Sequence, residues 1–134
     1  MNLKVETNKF LKPMGITAKR GTEFMALWWR KVIKFPRYEE DFYNEGFMNE
    51  FHKVYPDIKC HEFIISILHE VGHCKNPPLD WTEEEVKRNN PYAKNYFQNY
   101  DEKIATLWAA NYIRTHEKEV REFEKKLAIM LEKG

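Results

Sequence analysis

The chain lacks the features that would place it outside the ordinary globular class. No uninterrupted apolar stretch approaches the roughly 18 residues that a membrane span requires, so no membrane association is expected. Neither sign of charge dominates, with 22 Lys and Arg against 21 Asp and Glu and a net charge of +1. Without a basic excess there is no electrostatic reason to expect nucleic acid. Cysteine is scarce, with Cys60 and Cys74 as its only instances. Read as members of one helix, they stand about 21 Å apart at 1.5 Å rise per residue, far beyond disulfide reach. Two unpaired thiols suit a reducing compartment, and a cytoplasmic location is expected. The N-terminus, MNLKVETNKFLK, is mixed and polar, unlike a secretory signal. Internal repeats, low-complexity tracts and domain linkers are also absent from the pattern.

What remains is 134 residues, 43% hydrophobic and 15% aromatic, enough for one domain over 1–134 with a real core. Residues 1–23, with Pro13, Gly15 and Gly21, read as short extended pieces and turns. A strand is predicted near 28–35, ending at Pro36. Phe42, Tyr43, Phe47, Phe51 and Tyr55 fall near helical spacing over 39–55, and Pro56 closes that element. The next helix spans about 58–75 with Asp57 as N-cap, and stops before Asn76-Pro77-Pro78. A loop through Leu79-Asp80-Trp81 leads to a short helix opened by Thr82 and Glu85 and broken at Asn89-Asn90-Pro91. Glu102 to Arg114 reads as a strong helix. The tail 115–133 is amphipathic, with Val120, Phe123, Leu127 and Met130 on one stripe, and is expected to cover its own domain.

The helix from Cys60 reads CHEFIISILHEVGHCK, and His69-Glu70-Val71-Gly72-His73 fits H-E-x-x-H. Histidines at i and i+4 sit one above the other, about 5–6 Å apart at Cβ, so both imidazoles can reach one tetrahedral zinc. Glu70 projects about 100° around from His69 and need not bind the metal; it can take a proton from water activated there. Glu62, Ser66, His69 and His73 share a narrow polar stripe, while Phe63, Ile64, Ile67, Leu68, Val71 and Cys74 occupy the apolar arc. This is a buried scaffold helix with one chemically functional edge.

Catalytic zinc needs a third protein ligand. The downstream candidates are Asp80, Glu83, Glu84, Glu85, Asp101, Glu102 and His116. Glu102 is favoured because Glu102, Ala105, Ala109 and Tyr112 lie near one helix face. The two alanines would let this helix approach the zinc helix closely, beside Gly72.

HEVGH followed some thirty residues later by E-x-x-A-x-x-W-A resembles the gluzincin group of zinc peptidases. Within that group it is most similar to the small ImmA/IrrE-type metallopeptidases of bacteria and their phages. The resemblance covers about 60–114. It implies His69, His73 and Glu102 as zinc ligands, Glu70 as the base, and a small β-sheet before the active-site helix. No helix-turn-helix-like segment is read beside these motifs, so a repressor-cleaving role is not part of the expectation.

The fold class expected is α+β, mostly helical: a minimal zincin-like domain with a small N-terminal sheet. The function expected is zinc-dependent hydrolysis of a protein or peptide substrate. The competing reading is a non-catalytic zincin-fold binding protein, or a phage or mobile-element accessory protein acting by protein–protein contact. A deep groove past Glu70 favours the first, and a large exposed aromatic patch away from 69–73 favours the second. His61 reads as a helix-start residue, Cys74 as a core thiol and Trp28-Trp29 as core. Tyr96, Tyr100, Tyr112 and His116 stand as possible oxyanion donors.

Overall fold

Eleven consecutive residues, Phe63 to His73, are buried, and the helix that carries them organises everything else. A helix apolar nearly all round must be covered on every side. In the computed structural model, which describes residues 1–77 and 100–131, it runs Glu62–Lys75. One side of it meets a three-stranded sheet and another meets a long helix. The outcome is a mostly helical α+β architecture with a small N-terminal sheet, as the sequence pattern predicts.

The N-terminal segment departs from its reading. Helix α1 spans Leu3–Leu11, where extended pieces and turns were expected. Its buried face carries Glu6 and Thr7 beside Leu3 and Leu11, and these polar residues blur the apolar period that would have revealed it. Glu6 is accommodated there by Lys126, whose Nζ lies 3.0 Å from its carboxylate. Asn2 caps the helix by accepting from the Val5 N–H.

Strands β1 (Thr17–Gly21), β2 (Met25–Leu27) and β3 (Val32–Pro36) form a sheet of order β1-β3-β2. β1 is parallel to β3, with Ala18 opposite Ile33, and β2 is antiparallel to it, with Ala26 opposite the same Ile33. The free edge of β1 is closed by a side chain: the Asn8 amide donates to the Ala18 carbonyl at 3.0 Å and accepts the Ala18 N–H at 2.8 Å. Asn8 thus imitates one residue of a neighbouring strand. The single strand predicted over 28–35 is a hairpin instead. A 3-10 turn at Trp28–Arg30 and a left-handed Lys31, φ 53°, reverse the chain between β2 and β3. None of the usual turn residues marks it, so the sequence pattern does not reveal it.

Helix α2 is Glu45–Val54, capped by Asn44 and preceded by a 3-10 turn at Glu39–Asp41, so the helix predicted over 39–55 begins later than expected. Helix α3 is Glu62–Lys75. Its N-cap is His61, whose Nδ1 accepts the Phe63 N–H, and not Asp57. Asp57 instead makes a two-pronged pair with Arg114, at 2.7 and 2.9 Å. Cys60 therefore lies before the helix and not within it. Both cysteines are free and half-buried.

Helices α4 (Tyr100–Thr115) and α5 (Glu117–Leu131) complete the description. Val120, Phe123 and Leu127 turn inward as the predicted stripe requires, and Phe123 stacks on Phe10 at 4.5 Å. Rings of Phe35, Phe42 and Phe63 fill the space between sheet and α3, with centroids 4.8 to 6.5 Å apart. Each such ring contributes on the order of 2 kcal/mol by leaving water. Trp28 and Trp29 are not core: they pack edge to face on each other, 38% and 64% exposed. Among the described residues no helix is long and apolar enough to cross a membrane. The predicted short helix opened by Thr82 and Glu85, with Asp80, Glu83 and Glu84, lies outside the described residues.

Candidate metal centre

α3 and α4 cross closely, backbone to backbone, at Gly72 and Ala105. A Cβ on Gly72 would stand 2.4 Å from the Ala105 carbonyl oxygen and 2.8 Å from its Cα, so only glycine fits at that crossing. Ala105 and Ala109 are fully buried beneath it. This contact brings the start of α4 over the motif on α3.

Three side-chain atoms converge there. The Nε2 atoms of His69 and His73 are 3.2 Å apart, and Glu102 Oε2 lies 2.6 Å from the first and 3.1 Å from the second. A triangle with these sides has a circumradius of about 1.7 Å, shorter than the roughly 2.0–2.2 Å of zinc–nitrogen and zinc–oxygen bonds. A point about 1 Å out of the triangle's plane is therefore at bonding distance from all three atoms. The donor set fits a tetrahedral ion with one open position. His69, Glu70 and His73 also form a buried group whose ligating atoms all lie within 4.8 Å of one another. Glu70 makes no hydrogen bond or ion pair among the described residues, which suits a base better than a ligand.

The far nitrogen of each imidazole has its own partner. Thr106, buried, donates its hydroxyl proton to the Glu102 carbonyl at 2.7 Å, so toward His69 Nδ1, 3.0 Å away, its oxygen can only accept. When a metal takes the His69 Nε2 lone pair, the remaining ring proton would sit on Nδ1 and face the Thr106 oxygen. His73 Nδ1 faces Asp101 Oδ2 at 3.5 Å. Asp101, a candidate ligand in the sequence, sits behind the histidine. Thr106 is not among the residues that the sequence pattern singles out. Its signal was there, a hydroxyl one turn after Glu102 on the same face.

Charge in this pocket favours a cation. Burial pushes the His73 imidazole toward neutrality, but Asp101 and Glu102 outweigh it and hold its pKa up at about 10. Burial likewise works against an ionised Glu102, yet hydrogen bonds from His69 and His73 bring its carboxyl well below the usual range. Glu70 goes the other way: burial raises it, and the nearby charges of His69 and His73 only partly oppose that.

Glu70 also lines a cleft of about 870 Å³, together with Ser66 and His69. Other walls come from Phe24 and Phe47, and Phe47 packs edge-on against the His69 ring at 5.0 Å. The remaining sequence candidates lie elsewhere. Tyr112 is roughly 15 Å along α4 from Glu102 and stacks on His116 at 3.9 Å, so neither is placed as an oxyanion donor or ligand. His61 is spent on its helix cap, and the Cys74 thiol turns to the Val32 carbonyl. Tyr96 lies outside the described residues, as does the side chain of Tyr100. Comparison with protein-family models, curated proteins and solved structures finds no match to this chain.

Proposed function

We propose that the chain is a zinc-dependent peptidase in which His69, His73 and Glu102 hold the metal and Glu70 is the base. The observation that carries this reading is the convergence of two imidazole nitrogens and one carboxylate oxygen within 3.2 Å, beside a buried glutamate that has no hydrogen-bond partner among the described residues and opens on a cleft. Zinc held there supplies a Lewis acid for a peptide carbonyl and makes nearby water more acidic. The protein's own groups do the rest. Glu70 takes the proton of the attacking water as its oxygen bonds to the carbonyl carbon. It returns that proton to the leaving nitrogen as the C–N bond breaks. Its burial, which raises its affinity for a proton, equips it for both halves of that transfer.

The test compares the wild type with Glu70→Gln on a peptide library. The variant should keep its metal and fold and lose hydrolysis by at least about a hundredfold, the scale of general base catalysis. Equal activity in both would remove Glu70 from the chemistry. Inactivity in both would transfer weight to a binding protein, a reading favoured by one observation, the exposed Trp28-Trp29 pair.

A further inference from the structure

The cleft beside Glu70 has a charge that the chain as a whole does not. The sequence is almost balanced, at 22 basic and 21 acidic residues, yet among the described residues the fourteen that line this cleft include no Lys or Arg. They include Glu23, Glu40, Asp41 and Glu50, in addition to Glu70. These four come from three separate places: the β1–β2 connection, the 3-10 turn after β3, and helix α2. Sequence proximity therefore does not explain their meeting. None of the four forms an ion pair among the described residues, although elsewhere Asp57 pairs with Arg114 and Glu124 with Arg121. At the inner end Glu70, 8% exposed, opens into the same space with no hydrogen-bond partner among the described residues. Carboxylates brought together along a concave wall repel one another, and low-dielectric walls focus their field on whatever enters. A cationic side chain entering there relieves that repulsion. Phe24, Phe47 and Tyr43 supply apolar surface for the methylene stem of a lysine or arginine.

We infer that this cleft selects a basic segment of polypeptide, seating Lys or Arg side chains against Glu23, Glu40, Asp41 and Glu50 next to Glu70. The inference rests on the peptidase reading for its site, but its test does not need catalysis. Zinc-supplemented Glu70→Gln protein, full length, is titrated with three fluorescein-labelled peptides of equal length, one lysine- and arginine-rich, one with those positions changed to Gln, and one with Glu. Four exposed or partly exposed acids at a few tenths of a kcal/mol each amount to about tenfold, so the basic peptide should bind about tenfold tighter than its Gln counterpart at low salt. High salt should erase the difference. The combined variant E23Q/E40Q/D41N/E50Q should abolish the preference, and the control E117Q/E119Q/E122Q, on the exposed face of α5, should retain it. Equal binding of the three peptides, or a preference that survives the fourfold variant, overturns the inference. In parallel, the wild type should hydrolyse the basic peptide with kcat/KM about tenfold above the Gln peptide. If no peptide is cut, the peptidase reading fails, and the binding titration alone decides the specificity of the cleft.

Discussion

Replacing Gly72 by alanine probes the crossing that brings Glu102 to the histidines. The new methyl would lie 2.4 Å from the Ala105 carbonyl oxygen and 2.8 Å from its Cα, and both are backbone atoms that no rotamer change can move aside. Ordinary contact begins near 3.4 Å, so α4 must retreat from α3 by about 1 Å. Overpacking of this kind costs roughly 1–3 kcal/mol. Alanine recovers about 1 kcal/mol over glycine in a helix interior, leaving a net loss of about 0–2 kcal/mol. For a domain of this size that lowers Tm by up to about 8 °C. The effect on metal should be larger in proportion. Glu102 lies one turn before Ala105 and moves with it, whereas a zinc–carboxylate bond tolerates about 0.2 Å. Gly72→Ala should therefore weaken zinc binding at least tenfold. Calorimetry of the chelator-treated protein reads the first effect, and competition with a chromophoric zinc chelator the second. Gly46→Ala is the control: its new methyl meets only an Asn44 side-chain atom at 3.5 Å, and it should leave zinc affinity unchanged. A Gly72→Ala protein that melts with the wild type and binds zinc as tightly would refute the close-crossing argument.

Two further substitutions and one chemical probe extend the account. Thr106→Val removes the acceptor for His69 Nδ1 at nearly constant volume and should cost 10–100-fold in zinc affinity, while Thr106→Ser should restore most of it; equal affinity in all three removes Thr106 from the site. Asp101→Asn should weaken zinc less than loss of Glu102, because its 3.5 Å contact supports a ligand without being one; a loss as complete as that of Glu102→Ala would make Asp101 a ligand. Burial, helped by Glu124, raises the Cys60 thiol to about 12, and burial raises Cys74 to about 11. Thiolate is the reactive form, so at pH 8 the folded chain should react with iodoacetamide far more slowly than the unfolded chain. Fast alkylation in the native state would contradict the packing around both.

The helices were legible where their burial is one-sided or complete. Phe63 to His73 announces a central helix, and Ala105 and Ala109 announce a close crossing, because small residues at helical spacing have few other uses. The boundaries and the sheet were less legible. Asp57 has the chemistry of an N-cap, yet a partner distant in sequence, Arg114, takes it, and His61 caps the helix in its place. α1 was hidden because Glu6 is buried against Lys126, a contact 120 positions away. The hairpin at 28–31 was hidden because Lys31 adopts a left-handed conformation that its residue type does not signal. At the candidate site, the motif pointed to two histidines and a base. Ala105 and Ala109 pointed further, to Glu102, whereas the parts played by Thr106 and Asp101 depend on how the two helices cross. That crossing is long-range information.

The central claim is that His69, His73 and Glu102 form one zinc site. X-ray absorption at the zinc edge, on protein loaded from a zinc-buffered solution, tests it most directly. One zinc per chain is expected, with two imidazole nitrogens and only oxygen or nitrogen ligands at about 2.0–2.2 Å. Glu102→Ala should lose most of that zinc or show a changed shell. A folded chain that takes up no zinc, or a shell containing sulfur from Cys60 or Cys74, would contradict the claim.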